Sequence, residues 1–219
     1  MAKRTTRSKR SAPQDKASQD KVQGDKAMRQ AVLDAAFALA AGGRWRDLSL
    51  ADIADAAEVP LAAVYGAFSS KQAILSAYSR DVDAEVMAKR PADLSEEPAR
   101  DRLFDVIMRR LDAMKTEKDG LATIVQDTAR DPLAAVCGAC QLRRSMAAML
   151  EAAGLASDGL RGRVRIKGLA AIYLSTLRVW FKDDSEDLGK TMAKLDAALR
   201  CADRILCRLP GKSAQAEAA

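Results

Sequence analysis

The chain of 219 residues reads as an all-α protein, and three observations carry that expectation. Aromatics make up only 4% of it and Ala, Leu, Arg, Lys and Met dominate, a composition that favours helices over sheets. Apolar residues recur at three- and four-residue spacing along most of its length. Between residues 49 and 71, two short helical stretches stand close together around a tight turn, the pattern of a helix-turn-helix. With 48% hydrophobic residues the chain is long enough to bury a sizeable core, as one unit or as a small head and a larger body.

The first 26 residues carry eight Lys or Arg against three Asp, a balance of +5 out of a total of +6, so the remainder is nearly neutral. Residues 1–24 are expected to be a disordered basic tail that either follows a phosphate backbone or simply aids solubility. No apolar run follows those charges as in a secretory signal, and the later stretch from Leu169 to Phe181 is too short to span a bilayer, which predicts a cytoplasmic protein without stable membrane association.

Ala31, Val32, Ala35, Ala36 and Leu39 predict a first helix from about Asp25 to Ala41, stopped by Gly42 and Gly43. Ser49 is placed to cap a second helix that runs to about Ala57. Pro60 suits the first turn of a third, ending near Phe68. Ser69 and Ser70 offer a cap for a fourth, from Lys71 to about Lys89, and residues 90–98 read as a linker. A fifth helix carries Leu103, Phe104, Ile107, Met108, Leu111 and Met114, and a shorter sixth carries Leu121, Ile124 and Val125. Asp131-Pro132 opens a seventh, which Gly154 ends. Two long helices over 163–182 and 186–209 close a count of about nine, the acidic run 183–187 suiting the N-terminus of the last. Residues 211–219 are expected to be a disordered tail.

The stretch from Leu48 to Lys71, with its polar anchor, apolar core and closing lysine, resembles the DNA-binding head of the TetR family of bacterial transcriptional regulators. The resemblance implies a TetR-like architecture: a head over 25–71 whose third helix enters the major groove, and a helical body over 72–210 that binds a ligand and dimerises. Carried over onto this chain, it places Arg46, Ser49, Ala51, Leu61, Ala62, Ala63, Tyr65 and Lys71 at the DNA, with Ser49, Tyr65 and Lys71 as phosphate anchors. Each anchor also admits a plainer reading, as a helix cap, a half-core tyrosine and a solvated lysine.

The chain departs from the family pattern in three places. Glu58 stands where the turn usually has Gly, and a non-Gly residue at positive φ costs on the order of 1 kcal/mol. Pro60 replaces a polar cap. Leu61, Ala62, Ala63, Gly66 and Ala67 leave the recognition helix almost without donors or acceptors for base edges. Either the head relies on phosphates, the basic arm and DNA shape, or it has lost DNA binding.

In the body, the resemblance implies that the last two helices pair with a second copy, through Ile166, Leu169, Tyr173, Leu177, Leu195, Leu199, Ala202 and Leu206. Phe104, Met108, Leu111, Ile124, Met146, Met149, Leu150, Tyr173 and Trp180 are candidates to line a pocket for a small apolar ligand, although each suits plain core equally. Residues 179–196 are also similar to the TetR-fold ubiquinone-biosynthesis accessory proteins, which implies an alternative function: binding a lipid or isoprenoid without reading DNA.

Cys137 and Cys140 form a C-x-x-C that could in principle hold zinc with Cys201 and Cys207 or sense oxidants, but buried small residues are the better reading inside a helix. The chain has no histidine, no G-x-x-x-x-G-K-[ST] loop and no G-x-G-x-x-G fingerprint. The expectation is a non-enzyme with no cofactor and no metal, a homodimer whose partner is an operator in double-stranded DNA.

Overall fold

The computed structural model describes residues 12–43, 45–89 and 97–208, and among them it has nine helices and no strand. Helix α1 spans Ala12–Ala41, α2 Leu50–Ala56, α3 Leu61–Ala67, α4 Lys71–Ala88, α5 Ala99–Ala113, α6 Lys118–Thr128, α7 Pro132–Ala152, α8 Gly159–Trp180 and α9 Gly189–Arg208. The expected linker lies mostly outside the described residues, as do residues 1–11 and 209–219.

Local chemistry explains most boundaries. Ser49, Ser70 and Asp131 each accept a backbone N–H of the helix they open, as their short polar side chains allow. Gly154, at φ +71°, ends the turn that closes α7. Pro60 sits one residue before α3 rather than in its first turn. The first helix starts thirteen residues earlier than expected, at Ala12, so residues 12–24 are helical backbone and not a disordered tail. Pro13 fits the start of a helix, and the Ala, Gln and Lys residues that follow favour its continuation over the charge that suggested disorder.

Two apolar clusters organise the chain. The head cluster joins Val32, Ala36 and Phe37 of α1, Trp45 and Leu48 of the following loop, Ile53 of α2, Val64 of α3, Phe68, and Ile74 and Ala77 of α4. The body cluster joins Val82 and Val86 of α4 to Ile107 and Leu111 of α5, Met146 and Met149 of α7, Tyr173 and Trp180 of α8, and Leu195 and Leu199 of α9. Helix α4 therefore serves both cores. Ile124 of α6 joins the head cluster, because α6 lies along α1. There the backbones approach closely: a Cβ on Gly120 would stand 2.7 Å from the carbonyl oxygen of Phe37.

One buried polar network crosses the body. Arg110 is ion-paired with Asp83 and donates to the Tyr173 hydroxyl at 3.2 Å and to Ser79 and Ser145 at 3.2 and 3.3 Å. Burial works against its charge, but Tyr173 and Asp83 outweigh that, and its pKa is raised. The acidic run before α9 holds a second network. Asp183 is buried and accepts from the Thr191 N–H and hydroxyl, both at 2.8 Å, and from the Ser185 hydroxyl, so its carboxylate satisfies orphan donors at the start of α9.

The stripes expected to pair two chains are turned inward. Ile166, Leu169, Tyr173, Leu177, Leu195 and Leu199 are buried in the chain's own body core, Ala202 is half-buried, and the Leu206 side chain lies outside the described ones. Helical spacing shows which face of a helix is apolar, and both neighbours of the same chain and a second copy satisfy it equally. The faces of α8 left uncovered carry Leu160, Val164 and Leu174 instead.

Candidate nucleic-acid interface

The head presents α3 as a short rod pinned from beneath. Val64 is fully buried and Phe68, which follows the helix, is 1% exposed. Leu61, Ala62, Ala63, Tyr65 and Gly66 all face outward, Tyr65 at 64% exposure. This exposed helix face of Leu, Ala, Gly and one Tyr lacks the charges that normally cover a solvated surface. Ahead of it, Glu58 takes φ +55°, the left-handed turn that glycine adopts without strain, and the chain bends there from α2 into α3.

The three residues expected to anchor phosphates fare differently. Tyr65 is free to reach outward. Ser49 is exposed but engaged: its N–H and its hydroxyl both donate to the Asp52 carboxylate at 2.7 Å, while its Oγ accepts the Asp52 N–H at 3.1 Å. Asp52 was not among the expected site residues, although the Ser-x-x-Asp spacing of a capping box is visible in the sequence. Its carboxylate occupies the two donors that a phosphate oxygen would take. Lys71 is engaged too. Its ammonium donates to the carbonyls of Trp45 and Arg46 at 2.7 and 3.1 Å and lies 5.2 Å from the centre of the Trp45 ring. Burial lowers its pKa, against which Asp47, Asp127 and Asp52 act. Lys71 thus braces the loop after α1, and only one of its three donors is left to face outward.

Arg46 is exposed at the tip of that loop, and Ala51 is exposed on α2. The loop is held at its other side by the body, since the Arg46 N–H donates to Asp127 at the end of α6 at 3.1 Å. Two head residues went unrecognised in the sequence. Trp45 is a buried part of the core, and Arg29 of α1 stands 4.7 Å above the Phe68 ring. Trp45 lies in a loop, where periodicity does not reach, and Arg29, although it falls on the repeat that carries Val32 and Ala36, is a charged residue that an apolar pattern passes over.

The nine candidates for a ligand pocket are not brought together. Met146, Met149, Leu111 and Trp180 are closed into the core, and Met108 packs against it. Ile124 and Tyr173 line a small cavity of about 160 Å³ with Leu75, Tyr78, Arg110 and Phe181. Phe104 instead faces a shallow surface depression with Met192 and Asp196, and Leu150 faces a separate apolar groove of about 500 Å³ between α5, α7, α8 and α9. Cys137, Cys140 and Cys201 are exposed and unpaired, which corrects the expectation that they are buried. Over the first turns of α7 only the face with Ala134 is covered, so the apolar Leu133 and Val136 and both cysteines stay exposed.

Comparison with known proteins agrees with the geometry of the head. Residues 32–78 match the model of the family described as bacterial regulatory proteins, tetR family. Beyond the head, the fold is similar to a TetR transcriptional regulator from Nitrosomonas europaea ATCC 19718, at 25% identity and a TM-score of 0.67, covering 81% of this chain and 98% of that one. It is also similar in fold to a TetR transcriptional regulator from Rhodococcus sp. RHA1, at 21% identity, a TM-score of 0.58 and coverage of 84% and 98%. A tetR-family regulator from Streptomyces coelicolor gives 17% identity, a TM-score of 0.52 and coverage of 81% and 84%. No curated protein sequence matches the chain.

Proposed function

From a chain whose head is that of the tetR family of bacterial regulatory proteins, on a body with the fold of TetR transcriptional regulators, we propose a homodimeric repressor whose hold on an operator is loosened by a small ligand. The observation that carries the DNA-binding part is the outward face of α3, rigidly seated on Val64 and Phe68 and free of side chains that would keep a duplex away. Leu61, Ala62 and Ala63 suit contact with thymine methyl groups, while Tyr65 and Arg46 suit the backbone. Base discrimination by so few polar groups is weak, and DNA shape supplies the rest.

A route from ligand to head is supported by residues that belong to both. Ile124 lines the 160 Å³ cavity and packs in the head core. Tyr78, another wall of the cavity, lies with its ring centre 4.4 Å from that of Phe37 in α1. A ligand wedged against Ile124 and Tyr78 would move α6 and α1 together, and with them the two heads of a dimer, whose spacing must match two half-sites.

The test is fluorescence anisotropy with DNA from upstream of the protein's own gene against scrambled DNA of equal length, over a salt series. Preference for the native fragment that persists near physiological salt is the expected result. Equal binding to both fragments, lost with salt, sinks it. A second reading, a lipid- or isoprenoid-binding accessory protein, is favoured by the 500 Å³ groove, whose walls include Leu103, Leu155, Val164 and Ile172 with Arg100 and Arg165 at its edge. It is tested by organic extraction of the purified protein, in which a co-purifying isoprenoid or acyl chain is expected.

A further inference from the structure

The C-x-x-C is the motif that DNA binding leaves without a role. One face of its helix is uncovered over its first turns: Leu133 and Val136 are 75% and 62% exposed, and Cys137 and Cys140 are exposed with them. Free cysteine is among the most buried of residue types, so two open thiols on one turn of helix are the exception. Positions three apart share a helix face, with Cβ atoms about 5–6 Å apart. Rotation about two Cα–Cβ bonds brings both sulfurs onto a single bridging atom.

We propose that Cys137 and Cys140 form a dithiol site for trivalent arsenicals, compounds in which one soft atom carries two exchangeable hydroxyls. Each thiol displaces one hydroxyl: an As–S bond forms, an As–O bond breaks, and the thiol proton leaves with the hydroxide as water. Sulfur and arsenic both keep their oxidation state, so no oxidant is needed. The donor set points away from zinc, because the chain has no histidine and, among the described residues, no group of three or more Cys, Asp or Glu converges as a metal site would require.

The site also has a physical connection to the head. Gly138, between the cysteines, faces Thr128 at the end of α6, where an added Cβ would stand 3.6 Å from the Thr128 methyl. Thr128 follows Asp127, which accepts the Arg46 N–H of the head loop. Strain placed on α7 by a chelate across Cys137 and Cys140 therefore reaches the loop that Lys71 braces. This second leg rests on the DNA-binding function proposed above.

The experiment uses the full chain with phenylarsine oxide, intact-mass spectrometry and a thiol titration. One arsenical per chain with the loss of two thiols is expected, resistant to excess monothiol and reversed by a dithiol. Cys137→Ala or Cys140→Ala should weaken the adduct by ~100-fold, since each removes the intramolecular second bond, and Cys201→Ala should not. All three positions are exposed, and an unchanged melting temperature confirms that each variant is folded. An adduct indifferent to Cys137 and Cys140, or one that joins two chains, overturns the site. In the anisotropy assay the arsenical should change DNA affinity by ~10-fold in the parent and not in the variants. An adduct without that change overturns the link to the head alone, whereas absence of operator binding before arsenical is added overturns the repressor reading and leaves the adduct result intact.

Discussion

Glu58 shows how a single backbone angle exposes a compromise in the head. At φ +55° it holds the turn between α2 and α3 in a conformation that disfavours any side chain with a Cβ. Glu58→Gly relieves that strain but frees the unfolded chain, so a small net stabilisation of about 0.5 kcal/mol is expected, read from denaturant midpoints at unchanged m. Asp183 makes a prediction about pH. Hydrogen bonds from Ser185 and then Thr191 hold its carboxylate below the ordinary value of 3.8. The unfolded chain therefore binds a proton at a pH where the folded chain does not. The stabilisation is whole above about pH 4 and is lost as the pH falls below it. Asp183→Asn should accordingly be less stable than the parent at neutral pH, and the gap between the two should narrow on acidification below that point, as measured by thermal melts from pH 6 to 2. The strain at Glu58 was legible from the turn motif, whereas the role of Asp183 was not: a run of carboxylates before a helix reads as dipole compensation, and only the fold shows that one of them is buried.

Among the elements, those with a local start signal were readable, and those whose limits depend on distant cover were not. Ser49, Ser70 and Asp131 announce α2, α4 and α7 because a cap is made within three residues. The apolar stripes of α8 and α9 were equally visible, but not that the chain's own core buries Ile166, Leu169, Tyr173, Leu177, Leu195 and Leu199, since a Leu at helical spacing is the same residue whether its own chain or another covers it. The engaged anchors Ser49 and Lys71 were hidden for a related reason: their partners Asp52 and the Trp45–Arg46 carbonyls exist only once the loop is folded. The contact between α1 and α6 invites a direct test. Gly120→Ala places a methyl 2.7 Å from the Phe37 carbonyl oxygen, closer than backbone tolerates, and α6 has to move outward. A loss of about 1–3 kcal/mol is expected. If α6 carries the ligand signal, DNA affinity measured well below the melting temperature falls as well.

For the molecule as a whole, the proposed dimer has to use surface that the single chain leaves open. Val164 and Leu174 of α8 are 58% and 40% exposed and lie outside the buried core, Val164 at the edge of the 500 Å³ groove. Val164→Glu with Leu174→Glu should leave the melting temperature of dilute protein within a few degrees while shifting sedimentation from dimer to monomer. DNA affinity should fall with it, because one head holds one half-site. The all-helical class and the order of the helices were legible from composition and periodicity; the way the two cores meet was not. Helix α4 gives Ile74 and Ala77 to one core and Val82 and Val86 to the other, only five residues apart between Ala77 and Val82. The head is therefore no detachable module. A cut at residue 71 strips one wall from its core, and grafting this head onto a foreign body would succeed only if the donor's α4 travelled with it, so that transplantable specificity in this protein comes as a head and a half-body together.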